Sequence, residues 1–122
     1  MKLQKIVWNA AGILACLYAS TALADTARIT AFVERTMVDA DDKVGGCMVR
    51  LSEDPATVLP ACKNAWITFS CTGTYTDPVR AYRMLDQAQL AIATGMKVDV
   101  TIHDTMMHNG YCFASRINLL SE

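Results

Sequence analysis

The sequence predicts a mainly β domain with one helix, in the order β-β-β-α-β-β, closed into a five-stranded barrel. Three observations lead there. One amphipathic helix, with a proline start and a glycine stop, covers residues 78–94. Strand-like alternation flanks it on both sides. Past a leader the chain keeps four cysteines, an even count that fits a small cross-linked domain.

The first 24 residues read as an address. Lys2 and Lys5 supply a positive start, Ile6 to Leu17 is mostly apolar, and Ala22-Leu23-Ala24 is the small-x-small pattern of signal-peptidase cleavage. Cleavage there leaves 98 of the 122 residues, a single domain of 25–122 with one modest core. Cys16, after Leu14-Ala15, is the alternative: a lipid-attachment cysteine. The apolar run continues past it through Leu17 and Tyr18, and Asn9 would sit inside the shortened core, which argues against it. No other apolar run approaches the ~20 residues of a membrane-spanning helix, so the expectation is an exported, periplasmic or secreted chain without membrane insertion. The leader takes two lysines with it, leaving nine Lys/Arg against twelve Asp/Glu, a formal charge of −3. That balance excludes nucleic acid held by phosphate neutralisation and offers no polybasic patch to anionic lipid.

Arg28 to Val38 is rich in β-branched and aromatic residues and reads as the first strand. Asp39-Ala40-Asp41-Asp42 is a turn; the glycine and terminal glutamate of a calcium loop are missing from their places. Val44 to Leu51 is a second strand with Cys47, Val49 and Leu51 on one face, bent or bulged at Gly45-Gly46. Pro55 and Pro60 make residues 52–61 a loop. Trp66 to Cys71 is a third strand, with Ile67, Phe69 and Cys71 sharing a face. Asp77-Pro78 starts the helix as an N-cap oxygen followed by a residue with helical φ. Ala81, Met84, Leu85, Ala88, Ala91 and Ile92 form its apolar stripe, and Gly95 stops it in the left-handed region. Val98, Val100 and Ile102 then alternate with Asp99, Thr101 and His103 as a half-buried strand. Asn109-Gly110 marks a hairpin turn, and Tyr111 to Leu120 is the last strand, with Tyr111, Phe113, Ser115, Ile117 and Leu119 on one face.

An antiparallel five-stranded barrel with a helix between strands three and four is the OB-fold, and closure removes the free sheet edges. The cysteine spacings are not those of a zinc site, so Cys47, Cys62, Cys71 and Cys112 are expected to be two disulfides. Four cysteines allow three connectivities. A bridge 47–62 would staple the proline-containing loop, worth about 3 kcal/mol in the chain-entropy model, and 71–112 would join strands three and five at about 4 kcal/mol. That pairing is the one expected from the topology.

Leu85-Asp86-Gln87-Ala88, five residues, Thr94-Gly95, two residues and Val98 together resemble the helix-to-strand segment of toxin binding subunits of the subtilase cytotoxin and typhoid toxin type, relatives of the pertussis-toxin receptor-binding subunits. Cys47 and Cys62 followed by Trp66 and Phe69 resemble the same family's cysteine-bounded hairpin and aromatic third strand. The likeness runs from Cys47 to Val100, roughly half of the mature chain. The resemblance implies an OB-fold protomer in a ring of five with its helices lining the centre, binding host glycans and carrying a separate catalytic toxin subunit. The family's sugar-contacting serine with aromatic neighbours has no counterpart in Asp25-Thr26-Ala27-Arg28, and Leu120-Ser121-Glu122 lacks its cysteine-bearing tail. No sugar site is therefore carried over, and the ligand-binding residues stay open.

No catalytic, cofactor or metal residue is assigned. His103-Asp104 and His108 could form a metal or acid–base set, but an outward strand face and a turn favour solvated side chains. Ser70 or Ser115 beside those histidines lies in no G-x-S-x-G elbow. Met106-Met107 reads as a partly apolar hairpin tip rather than a soft-metal site. Trp66, Tyr75 and Tyr111 could stack on a sugar or serve as core and subunit contacts. Leu90, Ala93 and Met96 leave the wet helix face incompletely polar, which is compatible with packing against a neighbouring protomer. The expected role is a ring-forming recognition protein that binds through multivalent contacts; the alternative is a stand-alone periplasmic OB module with a structural or envelope-stress role.

Overall fold

A computed structural model describes residues 26–63 and 65–121; the leader, its cleavage point and Cys16 lie outside the described residues. The chain forms β1 (Thr26–Val38), β2 (Cys47–Leu51), β3 (Trp66–Thr68), α1 (Pro78–Thr94), β4 (Lys97–His108) and β5 (Tyr111–Leu119), with single 3-10 turns at Asp42–Val44 and Pro55–Thr57. The strands close in the order β1-β2-β3-β5-β4, an OB-fold-like barrel.

Closure depends on β1. Its first half pairs with β4, from Thr26 opposite His103 to Phe32 opposite Lys97, and its second half with β2, from Val33 opposite Leu51 to Val38 opposite Cys47. A bulge between Val33 and Arg35 bends the strand from one neighbour to the other. Four of the five pairings are antiparallel. The fifth, β3 with β5 through Thr68 and Phe113, is parallel, which corrects the all-antiparallel expectation. The helix between β3 and β4 returns the chain to the same end of the barrel, so β5 runs alongside β3 in its own direction.

Inside lie Ile29, Ala31 and Val33 of β1, Cys47, Val49 and Leu51 of β2, Ile67 and Phe69, Val98, Val100 and Ile102 of β4, and Cys112 and Ala114 of β5. Helix α1 seals this core with Leu85 and with Ala81, Ala88 and Ala91, whose short side chains let the helix approach closely. Asp77 caps it by accepting the Val79 N–H at 2.8 Å, and Gly95 ends it at φ 68°. Ile92, placed on the buried stripe from sequence, lies in the last turn of α1 and is 43 % exposed.

Two local departures redirect side chains. β3 ends at Thr68, because Ser70 takes φ 57° and turns the chain out of the sheet. In β5, Thr101 opposes Arg116 while Ile102 opposes Ala114, so Ser115 is an extra residue and the inward face changes parity there. Cys112 and Ala114 point in before it, Ile117 and Leu119 pack on the core after it, and Phe113 faces outward with His103. A strict alternation through residue 120 misses that switch.

The disulfides are Cys47–Cys71 and Cys62–Cys112, with Cα–Cα distances of 5.6 and 5.3 Å. This overturns the expected pairing of 47 with 62 and 71 with 112. The reason is hairpin geometry. Arg50 opposes Trp66 and Met48 opposes Thr68, so the start of β2 faces the end of β3, and Cys62 lies beyond the far end of the hairpin from Cys47. Past β3 the chain continues beside residues 45–47, with the Thr72 N–H donating to Gly45 O at 3.1 Å. Cys62 is carried instead to the β4–β5 turn, where the Lys63 N–H donates to Gly110 O at 2.9 Å. Both bridges fit an oxidising compartment. No described helix is long and apolar enough to cross a membrane.

Candidate functional site

Sequence reasoning set aside pairing of Ser70 and Ser115 with the histidines, yet the fold brings both pairs together. Ser70 Oγ lies 2.9 Å from His108 Nε2, and Ser115 Oγ lies 2.6 Å from His103 Nε2. The left-handed turn at Ser70 and the Asn109-Gly110 hairpin, both residues at positive φ, bring the first pair within reach. The β5 bulge turns Ser115 toward His103 in the second.

The Ser70 pair sits in a polar knot outside the barrel core. Ser70 is fully buried, and its hydroxyl accepts the Tyr75 N–H at 3.2 Å. The Ser70 N–H donates to Thr68 Oγ1 at 3.0 Å, and the Thr68 hydroxyl donates to Val44 O at 2.8 Å. Tyr75 donates its phenol proton to Met107 O at 2.8 Å and accepts the Met107 N–H at 3.2 Å. Its ring lies 5.0 Å from His108 and 5.5 Å from Phe113. Gly45 closes the far side of the imidazole, since a Cβ there would lie 2.6 Å from His108 Cδ2. Burial holds the His108 pKa below its ordinary 6.5, while the negative charge of Asp42 pulls it partly back. In the tautomer with Nε2 unprotonated, the Ser70 hydroxyl donates its hydrogen bond to the neutral imidazole and keeps its lone pairs for the Tyr75 N–H. In this conformation the enclosed hydroxyl meets no solvent, so the pair ties the β3–α1 segment to the β4–β5 hairpin.

His103 has a different setting. It lies half-buried on the outer face, with Nδ1 3.0 Å from Thr26 Oγ1 and its ring stacked on Phe113 at 6.1 Å. Both ring nitrogens lie within hydrogen-bond distance of hydroxyls, one on β1 and one on β5, on the outward face where the sequence placed them. Among the described residues, no group of three or more His, Cys, Asp or Glu side chains converges as a metal site would require.

The aromatic candidates divide in the same way. Tyr75 is spent on the knot, and the ammonium of Lys63 lies 4.9 Å over Tyr111. Trp66 is half-exposed on β3 opposite Arg50. The largest exposed apolar side chains of α1 are Val79, Tyr82, Leu90 and Ile92, at 63, 45, 47 and 43 % exposure. Val79, Tyr82 and Leu90 at i, i+3 and i+11 share the helix face opposite the buried alanines, with the exposed Asp86 between Tyr82 and Leu90. Sequence reading found Leu90 and missed Val79 and Tyr82; the same helical spacing could have found them.

No protein-family model matches the chain, and neither a curated protein nor a solved structure matches it.

Proposed function

We propose that this is an exported recognition protein that assembles into a ring, resembling a toxin binding subunit, and engages glycans through several weak contacts at once. The exposed Val79, Tyr82 and Leu90 on the outward face of α1 carry this reading. These three side chains are apolar surface that a neighbouring protomer would cover on assembly. The cross-linked barrel supports the export half of the reading. The Ser70–His108 pair adds no competing role, because its hydroxyl is enclosed. A ring multiplies weak sites by holding them at high effective concentration, which suits recognition of a dense surface.

Light scattering on the purified mature protein tests assembly, and the expected mass is five chains. A strict monomer at every concentration contradicts it and favours the stand-alone periplasmic OB module. A dense glycan array tests the ligand class; absence of binding by a protein shown to be pentameric removes the sugar and leaves the ring.

A further inference from the structure

The barrel carries a groove away from the polar knot, where the end of α1 meets the rim of β1, β4 and β5. Phe32, Gly95, Lys97, Leu120 and Ser121 line a cavity of about 300 Å³. That volume falls at the lower end of the range for small-molecule sites. Phe32 and Lys97 are opposite partners across β1 and β4, and the Leu120 N–H donates to Lys97 O at 2.9 Å, which fixes the third wall. Gly95 contributes space: a Cβ built there meets nothing within 4 Å. Phe32 leaves 45 % of its surface exposed, large for an aromatic ring in a strand.

The charges around this groove are unevenly settled. Asp99, two residues along β4 on the same outer face, is ion-paired with Arg28. Glu34, beyond Phe32 on β1, lies 3.2 Å from Arg50 Nε. Among the described residues no carboxylate comes within ion-pair distance of Lys97, whose ammonium rests 5.1 Å over the Phe32 ring. We propose that this groove binds a small organic anion with an apolar body, its carboxylate or sulfonate on the Lys97 ammonium and its hydrocarbon against Phe32 and Leu120. The end of α1 opposes an anion with about half a negative charge, and the full charge of Lys97 exceeds it. The inference is independent of ring formation and holds for a monomer as well.

Fluorescence titration of the folded mature protein with 1-anilinonaphthalene-8-sulfonate, two apolar ring systems carrying one sulfonate, tests the site. The expected result is saturable binding at one site per chain, weakened about tenfold or more by Lys97→Gln and by Phe32→Ala, as loss of a charged contact or of an apolar wall entails. Gly95→Asn keeps the left-handed backbone and fills the groove, so it should abolish binding. Lys63→Gln, on a cation elsewhere, should leave binding unchanged. Octanoate should displace the probe and octylamine should not. Unaltered melting curves for each variant separate a lost site from a lost fold. Binding that is absent, insensitive to all three groove variants, or displaced equally by the amine overturns the proposal.

Discussion

His108 is held between Gly45 and Tyr75 with Nε2 on the Ser70 hydroxyl, and its desolvated ring prefers the neutral form. The unfolded chain then takes up a proton first as pH falls from its ordinary 6.5. The stability His108 contributes is present above about 6.5 and is lost as pH falls toward its lower folded value. Thermal melts between pH 8 and 5 should show this slope, and His108→Gln should flatten it. Asp42→Asn should steepen it, because the charge that partly offsets the desolvation is gone. Ser70→Ala leaves the part-buried Tyr75 N–H without its acceptor, and denaturant unfolding should report a loss of about 1 kcal/mol. The knot was only half legible in the sequence. The residue types were visible, but nothing in Phe69-Ser70-Cys71 announces a left-handed serine, because αL is uncommon for residues other than glycine, asparagine and aspartate.

At the scale of elements, two glycines with similar backbone separate sterics from conformation. Gly45 and Gly95 both have positive φ, 78° and 68°. A Cβ at Gly45 would lie 2.6 Å from His108 and 2.7 Å from Thr68 Oγ1, whereas at Gly95 it meets open space. Gly95→Ala should therefore cost about 1–2 kcal/mol from backbone conformation alone. Gly45→Ala adds overpacking of about 1–3 kcal/mol to a similar strain, and should also shift the His108 titration. Asp77→Ala should weaken the start of α1 by about 1 kcal/mol, read by circular dichroism melts. The helix was the clearest element in the sequence because cap, stripe and stop agree on the same boundaries. β5 was not, because a single extra residue at Ser115 reverses which parity faces inward, and period-two reasoning carries no mark for where that falls.

The whole molecule is a closed sheet whose two covalent bridges record its topology. The closed barrel and α1 were legible because hydrophobic period and turn residues are local signals. The pairing of cysteines was misread although the hairpin itself was foreseen: in an antiparallel pair the first strand's start opposes the second strand's end, which places Cys47 beside the residues after β3. The parallel β3–β5 contact was missed because it depends on where the helix returns the chain. The bridges close sequence separations of 24 and 50 residues, about 3.5 and about 4 kcal/mol in the chain-entropy model. The most direct measurement is non-reducing peptide mapping of the purified, oxidised protein by mass spectrometry. The account expects peptides joining Cys47 to Cys71 and Cys62 to Cys112; peptides joining Cys47 to Cys62 and Cys71 to Cys112 would contradict it.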